Sequence, residues 1–226
     1  MKKSIYILLF FFIAFKTHSY ENNYKDISLI EMEILRNNQV IGHSKYTFEH
    51  SDDKMNVIND TQFEVELLGV KIFSIISKSI EKYENGKLVF FESNTLQNKK
   101  KKFVNLSYNE KIDKFIINGS SFKGEANTDN IIGNWWNSKI LNSNSQISPL
   151  SGSIKKQSVK LLKREKIEIN GKNYQTLRFK LKSIDESLPD DKKLNFDIWM
   201  EPHKEIIIKV SYERMGKWEY RLKRIK

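Results

Sequence analysis

Histidine is the side chain that most often supplies metal-binding or acid–base chemistry near neutral pH. Beyond residue 20 the chain carries His43, His50 and His203. The sequence contains no His-x-His or His-Glu-x-x-His spacing, which would place two imidazoles on one metal ion. His43 and His50 point to opposite faces if they share a straight strand. We therefore expect solvated or hydrogen-bonded histidines and no metal site.

Other residues that could support catalysis occur in unsuitable contexts. The segment from Gly119 to Gly124 is similar to a nucleophile elbow, but it lacks the final glycine and the strand-to-helix context. Asn127 and Asp129 near Gly133 do not match a calcium loop, in which acids alternate toward a turn glycine. Most carboxylates alternate with apolar residues, which is typical of a solvated strand face. We expect no catalytic residues, no cofactor and no enzymatic activity.

Aromatic side chains give the strongest indication of a binding site. Adjacent tryptophans lie in residues 131–141, whose apolar spacing predicts a short helix capped by Asp129. Neighbouring helical positions point about 100° apart, so one of the two rings is expected to face a groove. The candidate ligand-binding residues share a large apolar side chain that is predicted to face inward: Trp135, Trp136, Ile140, Trp218 and Tyr220. The alternative is that they fill an ordinary core.

Alternation of apolar and polar residues predicts strands through most of the chain. Residues 57–67 place Val57, Phe63 and Val65 on one face and mostly acidic or amide side chains on the other. The Asn-Gly pairs at 85–86, 118–119 and 170–171 favour tight hairpin turns, because both residues adopt positive φ readily. After Gly69, apolar residues on both faces of residues 70–80 predict a strand that is covered on both sides.

These elements predict a mainly β protein with roughly ten or eleven short strands. Residues 142–153 are rich in Asn and Ser and are expected to form a loop, with a possible internal linker there. Neither half has an obvious way to protect its own sheet edges. One β-rich domain is therefore expected over residues 20–226, with residues 20–26 frayed.

The N-terminus predicts export. Met1-Lys2-Lys3 precedes an apolar run over residues 5–15, and Thr17-His18-Ser19 matches a small-x-small cleavage pattern. Residues 1–19 are predicted to be a cleavable signal peptide, because the run is shorter than the roughly 20 residues of a spanning helix. The chain has no cysteine, which excludes a lipoprotein anchor. We expect a periplasmic or extracellular protein that is not transmembrane after cleavage.

The charge of the chain favours anionic partners. The formal net charge is +11, and the predicted signal peptide contains three of the lysines. A basic protein attracts polyanions. Because nucleic acid is scarce outside the cytoplasm, an anionic envelope surface is the expected partner and nucleic acid is not. The alternative is that lysine simply covers the solvated faces of strands.

Several motifs are spread over nearly all of the chain after the signal peptide. They are Ile41-Gly42-His43, Leu68-Gly69-Val70, the run from Glu81 to Leu88, Trp135-Trp136-Asn137 and the run from Phe196 to Pro202. In these motifs the chain resembles a family of exported bacterial proteins defined only as a domain of unknown function, although Trp199-Met200-Glu201 replaces an expected Trp-Tyr-Asp. The resemblance implies one large, strongly bent antiparallel sheet, as a half-barrel or open barrel loosely similar to periplasmic lipoprotein carriers. It brings no catalytic residues with it.

The sequence favours one function over two alternatives. The first hypothesis is a periplasmic binding module that holds a lipid-like or other apolar ligand against the concave face of the sheet. The second is a structural or assembly factor of the envelope that binds a protein along a sheet edge. The third and least supported is a hydrolase of envelope polymers.

Overall fold

The computed structural model describes residues 24–190 and 192–226, so the predicted signal peptide lies outside the described residues. This part of the chain contains fifteen strands and one 3-10 helix, η1, at Ser138–Asn142. The strands are β1 Leu29–Arg36, β2 Gln39–Ser51, β3 Lys54–Leu67, β4 Val70–Glu84, β5 Lys87–Gln97, β6 Lys100–Asn109, β7 Lys114–Gly119, β8 Lys123–Asn127, β9 Ile131–Ile132, β10 Ser145–Ile147, β11 Ile154–Ile169, β12 Lys172–Ser183, β13 Asn195–Glu201, β14 Ile206–Glu213 and β15 Lys217–Ile225.

All of these strands belong to one sheet, in the order β8-β7-β6-β5-β4-β3-β2-β1-β15-β14-β13-β12-β11-β10-β9. Its neighbours are antiparallel except for β9 and β10, which are parallel. The edge strands β8 and β9 follow each other in the chain and are separated only by residues 128–130. The sheet therefore rolls until its two edges approach each other. The predicted mainly β fold with one large, open, bent sheet is confirmed.

Apolar residues of alternating strand positions form the core on the concave face. The largest cluster surrounds the fully buried Trp136 and includes Ile140 of η1. It also contains Tyr24, so the last part of the segment predicted to be frayed is tied to the core. A smaller cluster near one end of the sheet contains Phe63 and Trp218.

Residues 131–141 do not form the helix that their spacing predicts. Ile131 pairs with Gln146 as part of β9, and helical structure begins only at Ser138. The Asn137 side chain caps η1 by accepting a hydrogen bond from the Lys139 backbone N–H at 3.0 Å, so the predicted cap at Asp129 is wrong. Residues 142–153, expected to form a loop with a possible linker, contain the short strand β10, which pairs with β11.

Most positive φ angles at the turns occur at residue types that adopt them readily. Among the described residues, ten non-glycine residues have positive φ, and seven of them are Asn or Asp. The turns at 85–86 and 170–171 are as predicted, whereas Gly119 ends β7 and has no positive φ. Leu68 and Met215 have φ of 51° and 49°, and each precedes a glycine. This conformation costs a residue with a Cβ roughly 1–2 kcal/mol, unless a short polar side chain offsets it.

The β3–β4 hairpin projects beyond its neighbours. β2 pairs with β3 only as far as Phe63, and β5 pairs with β4 only as far as Ile75. β3 and β4 continue to pair with each other as far as Leu67 and Val70. We call residues 64–73 the β3–β4 ribbon; no other strand in the described part of the chain pairs with it, and it extends about 13 Å. Because Val70 and Ile76 are exposed, the prediction that residues 70–80 are covered on both sides is wrong.

Candidate functional site

The concave face of the sheet is not completely filled. A cavity of about 610 Å³ lies between the β2–β5 wall on one side and β13–β15 on the other. Arg36, Gln97 and Met215 line it, and all three lie at strand ends or in turns at the same end of the sheet. We call this end the mouth. Successive antiparallel strands are connected at alternate ends of the sheet. The β1–β2, β3–β4 and β5–β6 turns therefore lie at the same end, and the β3–β4 ribbon is at the mouth.

Aromatic rings form the wall next to the mouth. Trp218 contacts Phe63 edge-on at 5.6 Å and stacks on Tyr212 at 5.8 Å, measured between ring centroids. Trp135 contacts Phe196 at 5.0 Å and Tyr220 at 6.2 Å. All of these rings line the cavity and form a continuous aromatic surface, to which the β2–β5 wall contributes Phe63. Such a surface suits apolar groups, because removing apolar area from water is favourable.

Hydroxyl groups form a band across the opposite wall. Ser44, Thr61, Ser77 and Thr95 lie opposite one another on β2, β3, β4 and β5. The Ser44 and Thr61 hydroxyls are 2.7 Å apart, and so are those of Ser77 and Thr95. Because these hydroxyls are bonded to each other, the band is a polar surface that does not require a ligand for its own stability.

A buried carboxyl group lies at the inner end of the cavity. Glu81 of β4 lines the cavity and is almost fully buried. Its Oε1 accepts hydrogen bonds from Asn134 Nδ2 at 2.6 Å and Trp136 Nε1 at 2.9 Å, and its Oε2 accepts one from the Tyr83 hydroxyl at 2.6 Å. Burial raises the pKa of the Glu81 carboxyl to about 7, and the hydrogen bonds from Tyr83 and Trp136 offset part of this rise.

Basic side chains surround the mouth. Arg36, Lys155, Lys193 and Arg214 line the cavity, whereas Glu81 is its only acidic lining residue among the described residues. Arg36 Nη2 donates to the Met215 carbonyl at 2.5 Å, and Lys193 Nζ forms an ion pair with Asp190 at 3.0 Å. Since a carbonyl partner leaves the guanidinium charge in place, the mouth favours anionic groups.

Three of the five predicted ligand-binding residues come together at the cavity. Trp135, Trp218 and Tyr220 line it. Trp136 and Ile140 do not: both are fully buried in the largest core cluster. Trp136 packs edge-on against Tyr24, Phe48 and Tyr83 instead, so the structure does not place these two residues at the cavity. Of the two adjacent tryptophans, Trp135 lines the cavity and Trp136 lies in the core.

Sequence reasoning missed Glu81 and the hydroxyl band. A signal for both was present, because inward positions of β4 read Phe73, Ile75, Ser77, Ser79 and Glu81. Polar residues at inward positions of a strand conflict with a filled apolar core. Their pairing with further hydroxyls depended on register, which alternation alone does not specify.

Across residues 24–190 and 192–226, no three His, Cys, Asp or Glu side chains are grouped so that they could hold a metal ion. Within the same residues, no helix has the length and apolar character needed to cross a membrane.

The fold is of a β-barrel-like class. The chain is similar to a crystal structure titled as a β-barrel-like protein of domain of unknown function DUF1849 from Brucella abortus. The TM-score is 0.59 at 9% sequence identity, covering 88% of this chain and 97% of that one. No curated protein sequence matches the chain significantly.

Residues 32–223 match the model of the domain of unknown function DUF6134, so the chain belongs to this family. The predicted membership of a domain-of-unknown-function family is confirmed, and with it the bent sheet that the resemblance implied.

Proposed function

We propose that this protein is a periplasmic binding module that holds a lipid-like or other apolar ligand against the concave face of its sheet. The observation that carries the proposal is the aromatic cavity of about 610 Å³. Ligand-binding pockets commonly measure about 300–1,000 Å³ and are mostly apolar with a few placed polar groups. This cavity has that character, because a wall of rings faces a band of hydroxyls.

The distribution of charge favours an amphipathic ligand. An alkyl chain would pack along Trp135, Phe196 and Trp218, where the wall is aromatic. An acidic head group would lie at the mouth beside Arg36, where a charge-assisted hydrogen bond is about twice as strong as a neutral one. A fatty acid or an acidic lipid therefore fits the cavity better than a neutral sterol or a cationic amphiphile.

The two alternatives have weaker support. A protein partner that adds to a sheet edge would meet β8 or β9, which have only five and two residues. Short edge strands are a common protection against such pairing. A hydrolase is supported least, because Glu81 has neither a second carboxylate nor a histidine beside it in the described cavity lining.

Blocking the cavity is expected to abolish ligand binding. In the variant Ser79→Phe, the added ring would extend into the cavity beside the hydroxyl band, because Ser79 lines the cavity. We expect the Kd for a long-chain fatty acid to rise at least about tenfold, as expected when apolar contacts of the chain are lost. Binding is measured by the emission of the cavity tryptophans, Trp135 and Trp218.

Ser107→Phe is the matched control, because Ser107 is exposed on the outer face of β6. This variant should bind as the wild type does. Mass spectrometry of the protein purified from its own envelope should also detect a co-purified acidic lipid in the wild type and not in Ser79→Phe. Equal affinity of Ser79→Phe and Ser107→Phe would exclude the cavity as the binding site.

Export is tested separately. We expect the mature protein in the periplasmic fraction to begin at Tyr20, since the predicted cleavage falls after Ser19. N-terminal sequencing of the fractionated protein measures this. A chain that keeps Met1 in the cytoplasmic fraction would contradict the proposed compartment.

A further inference from the structure

At two turns of the mouth, an apolar residue occupies a positive-φ position that is otherwise occupied by Asn, Asp, Glu or Gly. Leu68 and Met215 are 96% and 85% exposed, which makes them the two most exposed large hydrophobic side chains of the described residues. Both have positive φ, a conformation that elsewhere in this fold is mostly given to Asn, Asp or Gly. Neither burial nor backbone preference explains a leucine or a methionine at these positions. An exposed apolar residue that is also conformationally disfavoured points to an interaction outside the chain.

The apolar character extends over the whole tip of the β3–β4 ribbon. The four residues Leu67, Leu68, Gly69 and Val70 contain no polar side chain, and the three large ones are exposed. The ribbon holds this tip beyond the neighbouring hairpins, so the tip can enter a lipid layer without steric interference from the rest of the sheet. An exposed apolar patch of this kind marks a protein or membrane interaction site.

Positive charge lies close to both apolar tips, which are the tip of the β3–β4 ribbon and the β14–β15 turn at Met215. The β5–β6 turn, which is next to the ribbon in the sheet, begins the run Lys99 to Lys102, and the first three of these lysines are exposed. Asn98 of this turn is hydrogen-bonded to Ser74 at the base of the ribbon, with N···O distances of 2.8 and 2.9 Å. In the β14–β15 turn, Arg36 donates a hydrogen bond to the Met215 carbonyl. Basic residues behind an apolar tip match the anionic head groups that lie outside a hydrocarbon layer.

We propose that the mouth of the cavity docks onto an anionic lipid bilayer, with Leu67–Val70 and Met215 inserted and Lys99–Lys101 on the head groups. Two separate convex tips fit a fluid surface better than a protein partner, which would need two preformed pockets at the same spacing. Docking in this orientation places the mouth against the membrane. The inference goes beyond ligand binding, since the docking surface requires no ligand in the cavity.

The test uses vesicles of phosphatidylglycerol and phosphatidylethanolamine in a flotation assay with the full mature chain. The double variant Leu68→Asn/Met215→Asn should lose binding at least about tenfold, because two inserted apolar side chains are removed. Asparagine suits both turns, so the variant should remain folded with an unchanged or higher melting temperature. Ile112→Asn is the matched control, because Ile112 is an exposed apolar turn residue at the opposite end of the sheet.

Charge is tested by replacing the lysines. Exchange of Lys99, Lys100 and Lys101 for glutamine should weaken binding, and so should high salt, because the head-group attraction is screened. Vesicles of phosphatidylcholine alone should bind weakly. Equal binding of the double variant and the wild type, or no binding of the folded wild type to anionic vesicles, would overturn the proposal.

The absence of cysteine permits a direct measurement of insertion. Leu68→Cys labelled with an environment-sensitive dye should shift to shorter wavelength on anionic vesicles, whereas labelled Ile112→Cys should not. A shift that appears only with envelope proteins and not with lipid would reject the bilayer as the partner. The single variant Leu68→Asn should weaken docking and still bind fatty acid, because Leu68 does not line the cavity, so failure of docking and failure of ligand binding are distinguishable.

Discussion

Replacement of Trp136 by alanine is expected to lower the free energy of unfolding by about 3–5 kcal/mol, the usual cost of removing a large buried aromatic side chain. Trp136 is fully buried and contacts the rings of Tyr24, Phe48 and Tyr83 at 5.1, 5.3 and 5.8 Å. Its removal would leave a cavity among these rings. It would also remove one of the hydrogen bonds that Glu81 accepts.

Trp135→Ala is the matched control, since the two tryptophans are neighbours in the chain. Trp135 is only partly buried and already faces the cavity, so its removal enlarges existing space rather than creating a new void. We expect a much smaller loss of stability than for Trp136→Ala, together with weaker fatty acid binding. Urea unfolding followed by far-ultraviolet circular dichroism measures the stability of both variants without depending on tryptophan emission. Equal destabilisation by the two variants would contradict the distinction between core and cavity.

Replacement of Glu81 by glutamine is expected to remove a pH dependence from the stability. Burial raises the pKa of Glu81 from 4.5 to about 7, so the folded state favours the protonated carboxyl group. Between these two values the folded protein binds more protons than the unfolded chain, and stability therefore falls as the pH rises through this range. Above pH 7 the ionised form carries the full penalty, on the order of 3 kcal/mol.

Glutamine is nearly isosteric and can keep the hydrogen bonds. Its carbonyl can accept from Asn134 and Trp136, and its amide can donate to the Tyr83 oxygen. Glu81→Gln should therefore unfold at a higher urea concentration than the wild type at pH 8 and at a similar one at pH 4.5. The exposed Glu168→Gln is the control and should keep the wild-type pH profile. A variant that is less stable than the wild type at pH 8 would show that the carboxylate is needed as an acceptor.

The sequence determined the elements of this fold to a large extent. Alternation in residues 57–67 places Val57, Phe63 and Val65 on the concave face, where all three are buried. The turns at Asn85-Gly86 and Asn170-Gly171 follow from the ease with which these residues adopt positive φ. These properties are local, because each depends on a residue and its nearest neighbours along the chain.

The tertiary structure decided what the local pattern could not. Residues 131–141 have helical spacing, but Ile131 and Ile132 form a strand because β10, which is itself paired with β11, supplies their partner. The curvature of the whole sheet decides that Trp135 faces a cavity while Trp136 enters the core. The register of β2 to β5 brings the hydroxyls of four strands together, and the unequal hairpin lengths expose the tip at Leu68. Each outcome depends on contacts between segments far apart in the chain, which hydrophobic periodicity does not specify.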